Sequence, residues 1–379
     1  MKKKIVIIVE AMLGGVRQHV CDIVENLEQE KYEIYIIYSD LRADGTFYKK
    51  QAKLEKYAKL IRCNEMQRSL GKKDYEVYKK IVRIINKINP DIVHCHSSKA
   101  GVVGRMAAKK CGIPLIIYTP HAYAFQTPDI SWTKRMLYVY AEKLLSRYAT
   151  TVTINVSKGE MKAAQDYHID APDKFTLIYN GICQIDLKEK KLLKQSLGLD
   201  EYIYYIGVTA RCTGQKEPFT FLEIARKIIQ EVPNIDFIYI GDGEMRDVMK
   251  RWIVKNGLQQ KIHMPGFRTD APEIVGALDL YLSTASYEGL PYSILEAMRA
   301  GVPVLATDIV GNNELVFEGV NGKLFPVGDV NRACELIMEQ YKKCNISEED
   351  VRDTFQKKFS LNVMMEQLDK VYAGQRGNT

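Results

Sequence analysis

The stretch Ser286–Gly301 reads S-Y-E-G-L-P-Y-S-I-L-E-A-M-R-A-G. It places Glu288 in a Gly-containing loop and Glu296 after seven intervening residues. Pro291 stands where a helix would begin, because proline is favoured at the first helical position, where its missing N–H costs nothing. Gly301, followed by Val302-Pro303, is a helix stop. One carboxylate is therefore expected just outside a helix N-terminus and the other about one and a half turns inside it. The amides of Tyr292 and Ser293 lie between them, at an end that carries roughly half a positive charge and binds phosphate readily. A phosphate cradle between two carboxylates suits a phosphorylated ligand that also presents hydroxyls, such as a nucleotide-sugar.

Working back from this stretch, Gly207-Val208-Thr209-Ala210-Arg211 closes an apolar run, and Lys216 follows five residues after Arg211. A strand-end Arg and a Lys at the start of the next helix can converge on a pyrophosphate, each charge-assisted bond contributing about 1.5–3 kcal/mol. Gly241-Asp242-Gly243-Glu244 closes the next run, where two glycines mark a tight turn or a close ligand approach. Pro265-Gly266-Phe267-Arg268 follows another, so the backbone at Gly266 and Phe267 could edge a nucleobase; a plain turn reads equally well. Strands are expected at Tyr202–Thr209, Ile235–Ile240, Lys261–Met264, Leu278–Ser283 and Val302–Ala306. Helices are expected at Pro218–Glu231, Met245–Asn256, Pro291–Ala300 and Val330–Lys342.

The first half repeats the alternation. Ile5–Val9 reads as a buried strand, and Met12-Leu13-Gly14-Gly15 as the turn into a helix Val16–Leu27. This is not G-x-G-x-x-G, so the dinucleotide fingerprint is missing where a dehydrogenase would carry it. Gly14 and Gly15 still permit close backbone approach of a ligand. Further strands are expected at Glu33–Tyr38, Asp91–His94, Leu115–Thr119 and Thr151–Ile154, with helices at Tyr75–Ile88, Ala100–Cys111 and Thr133–Tyr148. His121 directly follows a strand end, where it can donate to a phosphate or a sugar hydroxyl. His94-Cys95-His96 has metal-ligand residue types, but neighbours on a strand point to opposite faces and no acid-and-His pattern completes a site, so no metal is expected. Ser131–Tyr148 carries Lys134, Arg135, Lys143 and Arg147 against one Glu, with Trp132, Met136, Val139, Tyr140 and Leu144 at helical spacing. It reads first as a helix packed on its own sheet, and more sharply as a basic amphipathic surface touching an anionic bilayer.

Short apolar runs alternating with amphipathic stretches indicate parallel α/β layers. At 379 residues, two domains are expected. The Lys-rich, strand-poor Asn180–Asp200 region is the expected linker, giving domains 1–182 and 183–379. Ligands of two doubly wound domains bind at the carboxyl edges of the sheets, in the cleft between them. The last helical stretch, Glu348–Tyr372, has no strand partner, and a terminal helix of about 355–379 is expected to cross back onto the first domain. With 46% hydrophobic and 27% charged residues, the composition is that of an ordinary globular protein. A net charge of +7, with no concentrated basic face or recognition module, argues against nucleic acid. The eight cysteines form no C-x-x-C pair, which fits a reducing compartment. The apolar run after Lys2-Lys3-Lys4 ends at Glu10, too short for a secretion signal. A cytoplasmic protein is expected, with any membrane contact peripheral.

These motifs together resemble a retaining glycosyltransferase of the GT-B fold, in the group-one, family-four class. The likeness is strongest at Ser286–Gly301, which is similar to that family's Glu-x7-Glu motif. It extends through Gly207–Lys216, Gly241–Glu244, Gly266 and the loop Thr307–Glu314. The stretch from His96-Ser97-Ser98-Lys99-Ala100-Gly101 to His121 further resembles enzymes that build bacterial surface polysaccharides: capsule, O-antigen and exopolysaccharide transferases.

Residue by residue, the resemblance implies that Arg211 and Lys216 hold the donor diphosphate and that Glu288 contacts the donor sugar hydroxyls. The backbone of Leu290, Pro291, Tyr292 and Ser293 would grip the phosphates, and Glu296 would bond the ribose. Gly14-Gly15 and His121 would complete the donor pocket. The chain departs from the family in having Gly207 four residues before Arg211, Glu217-Pro218 after Lys216, and Gly311-Asn312-Asn313 in place of paired glycines. The implied activity is metal-independent transfer of a hexose or N-acetylhexosamine from a UDP-linked donor to a saccharide acceptor, polyprenyl-diphosphate-linked, at the inner face of the cell membrane. Rivals are a nucleotide-sugar 2-epimerase of the same fold and a non-enzymatic two-domain binding protein.

Overall fold

The computed structural model describes residues 2–67, 71, 73–127, 130–186 and 188–375. The chain divides into two compact units, residues 1–180 with 364–379, and residues 181–363.

The first unit holds seven parallel strands: β1 (Lys3–Val9), β2 (Tyr32–Tyr38), β3 (Ala58–Arg62), β4 (Ile92–His96), β5 (Leu115–Thr119), β6 (Val152–Asn155) and β7 (Phe175–Leu177). Their order is β3-β2-β1-β4-β5-β6-β7. Helices cover both faces, so β1 is buried throughout Ile5–Val9 and reads as an unbroken apolar run rather than an alternation. The order reverses between β1 and β4, and the loops leaving the carboxyl ends of these strands diverge there to form a crevice. Gly14 and Gly15 belong to the first turn of the helix Gly14–Asn26 rather than to the turn before it, with Gly14 at φ +57° donating its N–H to Asp44 Oδ2 at 3.1 Å.

The second unit has six parallel strands: β8 (Tyr204–Thr209), β9 (Ile235–Ile240), β10 (Ile262–Gly266), β11 (Leu280–Ser283), β12 (Val304–Thr307) and β13 (Gly322–Phe325). Their order is β10-β9-β8-β11-β12-β13, so the switch lies between β8 and β11. The loops after these two strands carry Arg211–Lys216 and Ser286–Pro291.

Several elements depart from the sequence reading. Strands β3, β7 and β13 have no expected counterpart, because edge strands of three to five residues are too short for a period to register. A helix, Lys190–Ser196, lies inside the stretch expected to be a linker. Pro291 is the cap residue of the helix Tyr292–Ala300, at ψ 118°, not its first helical residue. The helix Leu361–Tyr372 begins in the second unit and ends in the first. Within the first unit, Tyr32 Oη donates to Asp369 at 2.7 Å and Lys3 Nζ to the Tyr372 carbonyl at 3.2 Å. Positions 376–379 of the expected terminal helix lie outside the described residues.

Candidate active site

In the second unit, Lys216 ends a 3-10 turn, Gly214–Lys216, and its ammonium forms an ion pair with the Glu288 carboxylate. Both side chains are largely buried, at 17% and 11% exposed, so solvent screens the pair little and removal of either partner would leave the other's charge uncompensated. The two loops are stitched together around it. Ser286 N donates to the Gln215 carbonyl at 2.9 Å, Gln215 Nε2 to the Tyr287 carbonyl at 2.9 Å, and Thr284 Oγ1 to the Lys216 carbonyl at 2.8 Å. Glu217 takes the left-handed conformation, φ 47°, which turns the chain sharply from this loop into the helix Pro218–Glu231.

Arg211 is exposed, and among the described residues it has no ion-pair partner. Its backbone is fixed instead: Tyr239 Oη donates to the Arg211 carbonyl at 3.0 Å, and Cys212 N to the Asp242 carbonyl at 2.9 Å. Gly241 permits this clasp, since a Cβ there would lie 1.8 Å from the Ala210 carbonyl oxygen. Gly241 therefore seats the Arg211 segment, in line with its reading as a close turn. Gly207 lies inside β8, where a Cβ would come within 2.5 Å of Ile238, so its lack of a side chain serves strand packing. Gly266 closes β10 at φ +84° under the Arg246 guanidinium, and Phe267 beside it is 70% exposed.

The helix Tyr292–Ala300 points its N-terminal end toward the same loop region, with Leu290 and Pro291 buried beneath it. Glu296, one turn in, is half-buried, and desolvation pushes its carboxyl up to about 7, against the opposing pull of Arg299. Arg299 is committed elsewhere, donating to the Cys183 carbonyl at 2.9 Å and the Pro272 carbonyl at 2.6 Å. Glu296 thus retains acceptor capacity for a ligand.

Sequence reasoning missed the braces behind this loop. Gly311, at φ +93°, lets the Thr307–Glu314 loop lie on Gly289, where a Cβ would be 2.3 Å from the carbonyl oxygen. Asn312 Nδ2 donates to Thr307 O and Oγ1 at 3.1 Å, and Thr307 Oγ1 donates to the Ala285 carbonyl at 2.6 Å. The Gly-Asn-Asn departure therefore supplies a buried side-chain strut. Gln215 was legible only as the neighbour of Lys216.

In the first unit, His121 and Ala122 both adopt left-handed backbone, φ 54° and 84°. This strained turn is pinned by Glu160, which accepts from Ala122 N at 2.5 Å and Val156 N at 2.9 Å. The expectation that nothing joins His94-Cys95-His96 is corrected. His94 and His96, two apart on β4, share a face with ring centroids 4.0 Å apart, and His121 Nε2 lies 3.1 Å from His96 Nδ1. His19, from the helix after β1, packs its ring 4.8 Å from that of His121. Burial holds His96 and His121 well below the usual histidine range and His19 at about 4, so all three are neutral at neutral pH.

The helix Trp132–Ala149 also departs from its first reading. Val139 packs inward, but Trp132 is 72% and Tyr140 62% exposed, and Leu137, Leu144 and Tyr148 are exposed with them. Its one Glu, Glu142, is not a surface charge: it faces inward onto the buried Arg105 at 2.8 Å. Among the described residues, no helix is long and apolar enough to cross a membrane.

Comparison with known proteins gives the class. The family model for glycosyl transferases group 1 matches residues 189–356, and that for glycosyltransferase family 4 matches residues 13–183. The chain belongs to the GT-B glycosyltransferases of this group and is a transferase enzyme. It is 29% identical, over 79% of each chain, to the UDP-Gal:alpha-D-GlcNAc-diphosphoundecaprenol alpha-1,3-galactosyltransferase of Escherichia coli. It is 27% identical to the putative glycosyltransferase EpsD of Bacillus subtilis, over 70% of this chain and 71% of that one. In fold it is similar to HepE of Anabaena, solved in complex with UDP and glucose, with a TM-score of 0.79 at 21% identity over 98% of this chain and 99% of that one.

Proposed function

We propose that the chain transfers a hexose or N-acetylhexosamine from a UDP-linked donor to a lipid-linked saccharide acceptor in surface-polysaccharide synthesis, with retention at the anomeric carbon. The observation that carries this reading is the buried Lys216–Glu288 pair beside the start of the helix Tyr292–Ala300, at the switch point of the second sheet. It sets a phosphate-binding cation, a hydroxyl-binding carboxylate and a helix N-terminus in one loop region. The E. coli relative, whose name gives a UDP-galactose donor and a diphosphoundecaprenol-linked acceptor, supports the donor and acceptor classes.

In the proposed step the acceptor oxygen forms a bond to the anomeric carbon while the bond from that carbon to the donor phosphate oxygen breaks. The acceptor proton passes to the departing phosphate, leaving a glycoside and a nucleoside diphosphate. Charge builds on the diphosphate, and Lys216, Arg211 and the helix N-terminus are arranged to receive it before the reaction begins. Glu288, already oriented by Lys216 and Gln215, accepts from donor sugar hydroxyls, and Glu296 from the ribose. Backbone from Leu290 to Ser293 faces the phosphates, and Gly266 and Phe267 are assigned to the base. In the first unit, His121 and the backbone of Gly14 and Gly15, at the start of their helix, are assigned to sugar recognition. These positive groups do the work that a divalent cation does in other transferases, so transfer itself is assigned as metal-independent.

Three tests apply. A nucleotide-sugar screen for thermal stabilisation should pick out a UDP-sugar. Incubation with donor alone should leave it unconverted, whereas an epimerase would consume it. An Arg211→Ala/Lys216→Ala double variant should stay folded and lose transfer; full activity in that variant refutes the reading.

A further inference from the structure

The first unit gathers four of the chain's six histidines where three elements meet. One of the four is fully engaged: His94 bonds Tyr372 Oη through Nδ1 and Thr119 Oγ1 through Nε2, each at 2.8 Å. The other three are not. His96 turns its Nδ1 to His121 Nε2 at 3.1 Å, and His19 Nδ1 has no hydrogen-bond partner among the described residues although its side chain is 3% exposed. An orphaned polar atom at such depth is rare and points to a missing partner. One nitrogen from each of His19, His96 and His121 lies within 4.8 Å of the others.

We propose that His19, His96 and His121 form a three-imidazole site for a borderline divalent cation of the zinc class. Three uncharged nitrogen donors suit zinc, cobalt, nickel or copper, and they disfavour magnesium and calcium, which require oxygen. A metal binds the lone pair of a neutral ring nitrogen, which each of the three imidazoles can supply. In a tetrahedral set with bonds of about 2.0–2.1 Å, the nitrogens stand roughly 3.3 Å apart. His96 and His121 are already at that spacing, 3.1 Å, and exchange their mutual hydrogen bond for two metal bonds. His19 is the ligand that closes in. The His121 ring is preset by the left-handed turn that Glu160 holds, and this side chain is half-buried, which gives the ion a route of entry. Three protein ligands leave a fourth position open. The site shares His121 with the sugar recognition proposed above, and the two readings fail separately because metal binding is read without any nucleotide-sugar.

The test uses Co2+ alone, without any nucleotide-sugar, on purified full-length protein stripped by a chelator. The expected result is one equivalent of Co2+ bound, with the visible d–d bands of a low-coordinate nitrogen site that Zn2+ bleaches. His19→Gln and His96→Gln should each weaken binding by more than the roughly 10–100-fold that loss of a supporting contact causes. His168→Gln and His263→Gln, which change the two histidines outside the cluster, should leave it unaltered. Circular dichroism checks folding, and if His96→Gln unfolds, the helix variant His19→Gln decides the question. Absence of the bands in the wild-type protein, or bands undiminished in His19→Gln, overturns the proposal. So does their loss in His168→Gln or His263→Gln.

Discussion

Burial raises the Glu296 carboxyl to about 7, so its charge changes within the ordinary working range. The sign follows from the direction of the shift. The folded protein holds this proton more tightly than the unfolded chain, so the group's contribution to stability is largest below about 4.5 and declines as pH rises toward 7. Donor binding runs the other way, because the ionised carboxylate is the better acceptor for ribose hydroxyls. Affinity for a nucleotide-sugar should therefore rise roughly tenfold between pH 6 and pH 8. Glu296→Gln should flatten that profile, as titration calorimetry at several pH values would read. Glu288 is assigned a different duty, against the transferred sugar. Glu288→Ala should mainly lower kcat by about 10²-fold or more, whereas Glu296→Gln should mainly raise KM. Equal effects of both variants on KM would contradict the division of roles.

At the scale of single elements, the helix Trp132–Ala149 presents an apolar stripe of Trp132, Leu137, Tyr140 and Leu144 to solvent, flanked by Lys134 and Arg147. Its inner face is secured by Arg105, which is wholly buried, bonds Glu142 at 2.8 Å and stacks 3.7 Å from the Tyr118 ring. With Glu142 drawn inward, the outer face is more basic than the composition of the helix suggests. Such a surface suits an anionic bilayer, where each basic residue adds about 1 kcal/mol. Vesicles containing phosphatidylglycerol should sediment the protein, and purely zwitterionic ones should not. A Trp132→Ser/Tyr140→Ser variant should lose sedimentation while keeping its unfolding midpoint, since neither ring packs inside. Retained binding would remove this helix as the contact. The loop after β11 shows the converse: Glu288 is placed by Gly311 and Asn312, more than twenty residues away in sequence, so its precision belongs to the sheet rather than to its own turn.

At the scale of the whole molecule, the chain's last helix is a working part of the first unit. Tyr372, wholly buried, donates or accepts at His94 Nδ1, and Tyr32 ties Asp369 to the start of β2. Tyr372→Phe leaves the His94 nitrogen unsatisfied at depth and should cost about 1–3 kcal/mol, lowering the urea midpoint. An unchanged midpoint would show that the helix end contributes packing alone.

The apolar runs of β1, β5 and β9, the glycine at Gly301 and the Glu288–Glu296 spacing were legible because period, cap and stop are local properties of the chain. They sufficed for two parallel α/β units and a transferase family, and they place an acidic pair around one helix start. Three features could not be read this way. The Lys216–Glu288 pair, the Gly311 strut and the meeting of His19, His96 and His121 each join segments that only the strand order brings together. Side chains at the carboxyl ends of adjacent strands become neighbours whatever their separation in sequence, and nothing local records which strands will be adjacent. The order of residues along the chain settles which cations, carboxylates and imidazoles the protein carries; folding alone settles which of them stand within reach of one another.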